Sequence, residues 1–353
     1  MTSHQAERIH WIDIAKGIFM LEIVQGHIFT DGVLRWWLYS FHVPAFFFIS
    51  GYCFKSDEKF SEFIKKKVKG IVIPYFFFSL LSIFLFALLG KIVPSIADVM
   101  ELDIKKNISV MLYANSKPNL MRYNLPLWFL PCLFSVSVLV YFSEIFTKTF
   151  KSQNAIRIWL VVFILLGVFF EKHELIALPW HLETACSMSV WYLLGFIAKN
   201  RGFFKKIECY AENRKNRIFL GLIAVAIIIV GAIFSWMNVR TVGVRNEHYG
   251  IIPVYYLSAV LGIVGHIILS ISFRKNKLLE HVGKNTLGVL GFHKFAVLFF
   301  QKIIPFFAKQ LAMPNTFSGI ICGGAVNIAT VFISLMATRL TLMAFPWALG
   351  KRK

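Results

Sequence analysis

The sequence is poor in acidic side chains and poor in charge altogether. Of its 353 residues only 18 are Asp or Glu, against 38 Lys or Arg, and charged residues of both signs make up 16% of the chain. Hydrophobic residues make up 57% of it, above the ~45–50% of ordinary soluble domains. Because the charge is so sparse, no stretch predicts a water-soluble domain of useful size, and residues 1–353 read as a single integral-membrane domain.

Cysteine is also scarce, and its spacing excludes two classes of protein. The chain has 5 cysteines, at Cys53, Cys132, Cys186, Cys209 and Cys322. None forms a C-x-x-C pair or the spacing of a zinc site, so neither a disulfide framework nor a structural metal is predicted. We expect these thiols to act as small packing residues and expect no metal cofactor.

Long apolar runs are what the sequence does contain. Runs of roughly 20 residues, the length that crosses a bilayer as a helix, recur through the whole chain. They are continuous rather than alternating, which predicts an all-α polytopic membrane protein with about ten transmembrane helices. The predicted spans are 8–29, 36–54, 71–89, 127–146, 158–170, 185–198 (short, as in a broken or cavity-lining helix), 218–236, 251–271, 286–300 and 317–342.

Positive charge collects in alternate connections between these runs. The formal net charge of +20 would suggest nucleic acid in a soluble protein, but here it follows the positive-inside pattern of membrane proteins. The basic connections are 55–69, 148–157, 199–217, 274–284 and the tail 351–353. The other connections hold most loop acids, which are Asp31, Asp98, Glu101, Asp103, Glu171, Glu174, Glu183 and Glu247. We therefore predict cytoplasmic termini, a multi-pass protein of the inner (plasma) membrane, and no nucleic-acid partner.

The first apolar run holds ionisable groups that a bilayer disfavours. Asp13, Lys16, Glu22 and His27 lie within it, and each would cost about 2.5–3.5 kcal/mol near a membrane centre. On a helix, Lys16 and His27 lie about 20° apart in rotation and ~16 Å apart along the axis. Asp13 lies one turn before Lys16. This predicts a stripe facing a protein interior or wet cavity; the alternative is that Lys16 and Asp13 reach one interface and His27 the other.

Four segments carry a family resemblance. They are Ile12-Asp-Ile-Ala-Lys16-Gly with Gly26-His27, Phe41-His-Val-Pro-Ala-Phe-Phe-Phe-Ile-Ser50-Gly51-Tyr, Leu127-Trp-Phe-Leu-Pro131, and Val282-Gly-Lys-Asn-Thr-Leu-Gly-Val-Leu-Gly-Phe-His293. Together they resemble the acyltransferase family 3 membrane proteins, bacterial O-acyltransferases of surface sugars. The later two segments resemble the branch of fucose 4-O-acetylase and related enzymes.

The resemblance implies a donor, an acceptor and catalytic roles. It implies transfer of an acyl group, most simply acetyl from acetyl-CoA, to a hydroxyl of a cell-surface or lipid-linked carbohydrate. His27 would act as base or acyl-relay residue, Lys16 would polarise a carbonyl or meet a donor phosphate, and Asp13 would orient Lys16. Where the family often has an Arg-x-x-Arg pair, this chain offers only lysines such as Lys66 and Lys69 for the nucleotide phosphates.

Further candidates each have a structural alternative. His293 is either a site residue or a core histidine with its hydrogen bonds satisfied. Glu183, with His181, would hold a sugar or lie in a solvated loop, and Trp128 would stack on a sugar ring or belong to the interfacial aromatic belt. Helix pairing alone does not decide whether His42, in the second span, packs near His27.

The same buried charges fit a second function. A transporter or exporter of a polysaccharide or small solute would also line a path with ionisable groups. The spacing of Lys16 and His27 and the lysines suited to CoA favour the acyltransferase.

Overall fold

A computed structural model describes residues 9–92, 103–118, 120–149 and 155–350. These residues are helical, with no β-strand among them, and Gly243 and His248 form one isolated bridge. The all-α class is therefore confirmed. Some charges behind the predicted orientation, namely Asp98, Glu101, Lys151 and residues 351–353, lie outside the described residues.

The helices follow one another along the chain with short connections. In order they are α1 His10–Ile28, α2 Val33–Tyr52, α3 Phe60–Lys67, α4 Ile73–Ile92, α5 Ile104–Tyr113, α6 Phe129–Thr149, α7 Ala155–Lys172, α8 Leu182–Asn200, α9 Phe203–Tyr210, α10 Arg214–Trp236, α11 Ile252–Phe273, α12 Lys277–Lys284, α13 Thr286–Lys302, α14 Pro305–Leu311 and α15 Phe317–Ala344. A π-helical turn lies at Val68–Val72. Three 3₁₀ segments connect helices, at Arg122–Trp128, Pro179–His181 and Val244–Asn246, and a fourth, Pro346–Leu349, follows α15.

Several of these helices are long and apolar enough to cross a membrane. In the described part of the chain 5 pass by length and composition, or up to 6 if α13 and α14, bent by 98°, form one span. The 5 are Phe60–Lys91, Arg122–Thr149, Arg214–Trp236, Ile252–Phe273 and Phe317–Ala344. These apolar helices support a multi-pass membrane protein, while the count of ten and the orientation of the termini remain predictions.

Helix α1 lies at the centre of the bundle. It packs against α2, α11, α12, α13 and α15. Its five consecutive residues 11–15 are buried and together cover every side of the helix, which an amphipathic surface helix would not show. By contrast, α10 exposes Leu222 and Ile229 to its surroundings. The polar groups of α1 are therefore inside protein, where partners can satisfy them.

Two glycines set the contact between α1 and the short helix α12. A methyl group added at Gly17 would lie 2.2 Å from the carbonyl oxygen of Leu279, and one at Gly283 would lie 1.8 Å from that of Asp13. Only hydrogen fits where two helix backbones approach this closely. The Gly-Lys-Asn part of the fourth segment thus holds α12 against the start of α1.

Side chains near the ends of several helices explain where they begin. Asn213, Asn276 and Thr316 precede α10, α12 and α15, and each accepts a hydrogen bond from a backbone N–H of the first turn. Such caps satisfy amide groups that have no partner inside the helix.

The structure corrects one predicted helix. The sixth span was predicted to be short, as in a broken or cavity-lining helix, but α8 is a continuous helix of 19 residues. It begins after His181, whose φ of 51° turns the chain into the helix. The basic segment forms the amphipathic helix α3, which buries Phe63 and exposes Lys65 and Lys66.

Candidate active site at the end of the first helix

A cavity of about 310 Å³ lies at the C-terminal end of α1. One wall comes from α1 and α2, another from the 3₁₀ segment before α6, and a third from the connection between α10 and α11. The lining residues are His27, Arg35, Tyr39, His42, Val43, Leu125, Pro126, Trp128, Thr241, Val242, Gly243, Val244, Arg245 and Asn246. The cavity thus contains two of the predicted site residues, His27 and Trp128.

His27 is the side chain that α1 contributes to this cavity. Its ring centroid lies 5.2 Å from that of His293 and 6.4 Å from that of Tyr39. The amide of Gln301 donates to the backbone carbonyl of Ile28 at 2.7 Å, which holds the end of α1 against α13. The three aromatic rings are therefore supplied by three helices that pack together.

Two neighbouring histidines each have one ring nitrogen committed to the backbone. Nδ1 of His42 bonds the carbonyl of Leu38, and Nδ1 of His293 lies 3.0 Å from the carbonyl of Val289. A carbonyl oxygen only accepts, so both Nδ1 atoms carry the proton and both Nε2 atoms keep a lone pair.

His293 is not a core histidine with its hydrogen bonds satisfied. Its Nε2 is buried and has no hydrogen-bond partner among the described residues. An unpaired buried nitrogen is rare and asks for a functional explanation. Since the ring also lies against His27, the geometry favours the site alternative for His293.

Lys16 and Asp13 lie toward the other end of α1. Lys16 Nζ contacts Asp13 Oδ1 at 2.8 Å, as predicted for a carboxylate that orients the lysine. Lys16 is absent from the residues that line the cavity, about 16 Å along α1 from His27. The ammonium groups of Lys16, Lys67 and Lys199 lie close enough to the Cys53 thiol, at the far end of α2, to interact with it electrostatically.

The lysines predicted to meet the donor differ in their surroundings. Lys66 is exposed and pairs with Glu58, and Lys69 is exposed in the π-helical turn. Lys67, between them, turns inward and lies 3.5 Å from the Tyr192 hydroxyl. This end of the bundle therefore carries lysines both on its surface and turned toward its interior.

Trp128 connects the cavity to a buried polar cluster. Its ring lies 5.3 Å from that of His181. His181 Nε2 accepts a hydrogen bond from the backbone N–H of Ser116 at 3.0 Å, and Nδ1 faces Glu183 Oε1 at 3.3 Å. Because Nε2 accepts this hydrogen bond, the ring is neutral with its proton on Nδ1; burial also lowers the pKa of His181 despite the opposing charge of Glu183.

Glu183 lies behind the cavity wall. Its side chain is fully buried, so the solvated-loop alternative is wrong. Asn115 Nδ2 donates to its carboxylate at 2.8 Å, the backbone N–H of Leu178 donates at 3.0 Å, and Lys117 Nζ lies 3.7 Å away. A carboxylate held by this many donors can fix its neighbours but does not itself line the cavity.

Sequence reasoning missed several residues of the site. Arg35, Tyr39 and Arg245 all line the cavity, and the signal for Arg35 was a lone charge at the start of an apolar run. Also missed was the partner of Glu22, which is His266 Nε2 at 2.8 Å. That pair lies on another face of α1, as helix geometry requires.

Comparison with known proteins places the chain in a family. A family model described as an acyltransferase domain matches residues 9–336. No curated protein and no solved structure matches the chain. The match includes every segment that carried the resemblance, and it favours acyl transfer over transport. Together with the apolar helices, it shows that the chain is a membrane acyltransferase belonging to acyltransferase family 3.

Proposed function

We propose that this acyltransferase moves an acetyl group from acetyl-CoA to a hydroxyl of a cell-surface or lipid-linked carbohydrate. The observation that carries the proposal is the cavity at the end of α1. It places His27 beside an unpaired imidazole nitrogen and opposite Trp128, an aromatic ring of the kind on which sugars stack. A base makes the sugar hydroxyl a better nucleophile, and a stacking surface holds the sugar ring in position for the attack.

His27 is the base in the proposed reaction. It removes the proton of the sugar hydroxyl while the hydroxyl oxygen attacks the thioester carbonyl. The carbon–sulfur bond then breaks, and the CoA thiolate takes the proton back from the imidazolium. If His27 acts as an acyl relay instead, its imidazole nitrogen attacks the thioester carbonyl, the carbon–sulfur bond breaks and CoA leaves as the thiolate. The sugar hydroxyl oxygen then attacks the acyl carbon, the nitrogen–carbon bond breaks to release the imidazole, and the hydroxyl proton goes to the CoA thiolate. His42 and His293, each with a free Nε2, supply neutral acceptors around that ring.

The donor enters from the lysine end in this proposal. Lys66 and Lys69 are exposed there and meet the nucleotide phosphates as point charges. Lys16, oriented by Asp13, guides the arm of the donor inward. The distance of about 16 Å along α1 suits an elongated donor whose thioester reaches His27 from the opposite end.

Trp128 contacts the acceptor, and Glu183 supports it indirectly. Glu183 holds His181, and His181 packs on the indole of Trp128, so loss of the carboxylate would loosen the stacking surface. Glu183 therefore acts as a positioning residue.

A labelled-donor assay tests the role of His27. We expect His27→Ala to lower transfer of label from acetyl-CoA to membrane carbohydrate by at least about 100-fold, because general-base catalysis contributes ~10²–10⁴. The matched control is His281→Ala, since His281 is exposed on α12 away from the cavity. Wild type and both variants are compared in membrane vesicles at equal protein level.

Two results would contradict the proposal. Full transfer by His27→Ala would remove His27 from the chemistry. Label that stays on CoA in the wild type, with carbohydrate still moving across the vesicle membrane, would support transport in place of acyl transfer.

A further inference from the structure

Two arginines lie on different walls of the cavity. Arg35 comes from the first turn of α2, and Arg245 comes from the 3₁₀ turn between α10 and α11. Both side chains are partly buried. Tyr39, which also lines the cavity, lies against Arg35, whose guanidinium carbon is 4.2 Å from its ring centroid.

Neither guanidinium has an acidic partner within the described parts of the chain. Arg35 Nε donates to the carbonyl of Gly26 at 3.3 Å, and a terminal nitrogen of Arg245 donates to the carbonyl of Ser116 at 3.1 Å. The acid next to this wall in sequence, Glu247, is turned away and accepts from Ser187 and Tyr249. No Asp or Glu occurs among the described residues that line the cavity.

The two guanidinium groups therefore bring positive charge and hydrogen-bond donors to the wall of the cavity. A guanidinium has five N–H groups in a planar fork that matches a carboxylate or a phosphate. One carbonyl uses one of these donors and does not neutralise the charge. Away from water such a charge is costly unless an anion compensates it. The two unneutralised arginines therefore make the cavity complementary to an oxyanion.

We propose that Arg35 and Arg245 bind an anionic group, a carboxylate or a phosphate, on the carbohydrate acceptor. The inference rests on the proposed function, because it takes this cavity as the acceptor site. The enzyme then selects acidic sugars or sugar phosphates over neutral sugars. The other source of an oxyanion is the donor, whose phosphates we place among the lysines at the opposite end of α1.

Binding without the donor tests the charge preference. The probes are methyl glucuronide, its uncharged methyl ester, methyl glucoside and inorganic phosphate, titrated calorimetrically into the full-length protein in detergent. We expect the two anions to bind at least about tenfold more tightly than the uncharged sugars, as one or two charge-assisted hydrogen bonds would give. Binding should weaken as salt is raised.

Variants assign that preference to the two arginines. Arg35→Gln and Arg245→Gln should each weaken binding of the anions by about 10- to 100-fold and leave the uncharged sugars unaffected. Substitution of either arginine by lysine should restore part of the affinity for the anions. Such a recovery would show that the glutamine variants lose binding because they lack the charge and not because they misfold. The matched control is Arg240→Gln, an exposed arginine of the same connection that does not line the cavity.

The outcomes separate this inference from the proposed function. Equal binding of all sugars, or glutamine variants that bind anions normally, would overturn the inference. A raised KM for acetyl-CoA with unchanged anion binding would assign the arginines to the donor and overturn it as well. The expected anion binding without any acetyl transfer to carbohydrate would leave the anion site intact and refute the proposed acetyltransferase.

Discussion

At the scale of the residue, the site is built from histidines whose free nitrogens are set by local hydrogen bonds. His42 and His293 each donate Nδ1–H to a carbonyl of their own helix, which leaves Nε2 as an acceptor. His181 has the same tautomer, but it is set from the other nitrogen, because the backbone N–H of Ser116 requires Nε2 as its acceptor and thereby occupies it. The residues that orient a ring are thus backbone groups close to it, and a substitution elsewhere need not disturb them.

The buried pair of Glu22 and His266 belongs to the same scale but not to the cavity. His266 also stacks on Phe41, with ring centroids 4.8 Å apart and planes at 14°. A carboxylate and an imidazole at 2.8 Å inside the bundle hold α1 against α11. Breaking one partner would leave the other buried without compensation, which is the costly case for an ion pair.

His181 predicts a pH dependence of stability. Its pKa in the folded protein is lowered, so below about pH 6.5 the unfolded chain binds a proton that the folded chain does not. Stability should therefore fall as pH drops below that value, by up to ~1.4 kcal/mol per pH unit for this one group. The measurement compares the thermal unfolding midpoints of wild type and His181→Gln from pH 8 to pH 5.

Because both proteins keep their other histidines, the contributions of those groups cancel in the difference. The wild type should lose more stability than the variant over this range. Parallel curves would mean that burial of His181 does not disfavour its charged form.

At the scale of the element, glycine contacts decide how the site-bearing helix is held. Helix α1 is crossed by α12 at Gly17 and Gly283, where backbone touches backbone. The crossing lies beside Asp13 and so positions the lysine end of α1. The crossing also explains why a glycine stands at position 283 of the fourth family segment, to which sequence reasoning assigned no function.

Substitution of these glycines by alanine tests the crossing. Gly283→Ala places a methyl group 1.8 Å from a carbonyl oxygen, so we expect a loss of at least about 1–3 kcal/mol from overpacking or failure to fold. The matched control is Gly324→Ala in α15, where nothing lies within 4 Å of the added carbon. That change should be neutral or stabilising by up to ~1 kcal/mol, because alanine favours the helix.

Thermal unfolding in detergent and the yield of monodisperse protein measure both effects. Equal stability of Gly283→Ala and Gly324→Ala would show that the two helices can separate without cost.

At the scale of the whole molecule, the bundle has two chemically different ends. One end holds the cavity with its histidines and two arginines, and the other holds the lysines near Cys53 and the basic helix α3. The loop charges predict that the lysine end faces the cytoplasm. A donor made in the cytoplasm and an acceptor at the opposite face would then meet along α1.

Natural cysteines offer a test of this orientation. Cys53 and Cys209 are exposed, while Cys132 and Cys322 are buried. We expect a membrane-impermeant maleimide to label the protein in inverted vesicles and to leave it unlabelled in right-side-out vesicles. The double variant Cys53→Ser, Cys209→Ser should lose the label in inverted vesicles and stay unlabelled in right-side-out vesicles. Strong labelling of right-side-out vesicles would reverse the predicted orientation of the chain.

Much of the molecule follows from the sequence because the cause is local. The helical spans follow from apolar length, and the ~16 Å between Lys16 and His27 follows from helical rise alone. The count of about ten spans and the cytoplasmic position of both termini rest on the same local patterns and remain predictions. The prediction of a short sixth span was wrong because its length was judged from apolar residues. Helix α8 also includes the buried polar residues Glu183 and Thr184, which precede the apolar run.

The sequence by itself determined the helical membrane class and the family, because apolar runs and short motifs are read from neighbouring residues. It also placed Asp13, Lys16 and His27 on one helix, for the same reason. Only the tertiary structure decided that His293 and Trp128 join His27 while Lys16 lies apart, and that Arg35 and Arg245 face the same cavity. Those neighbours come from different helices and connections, and contacts between distant segments depend on packing that no local pattern encodes.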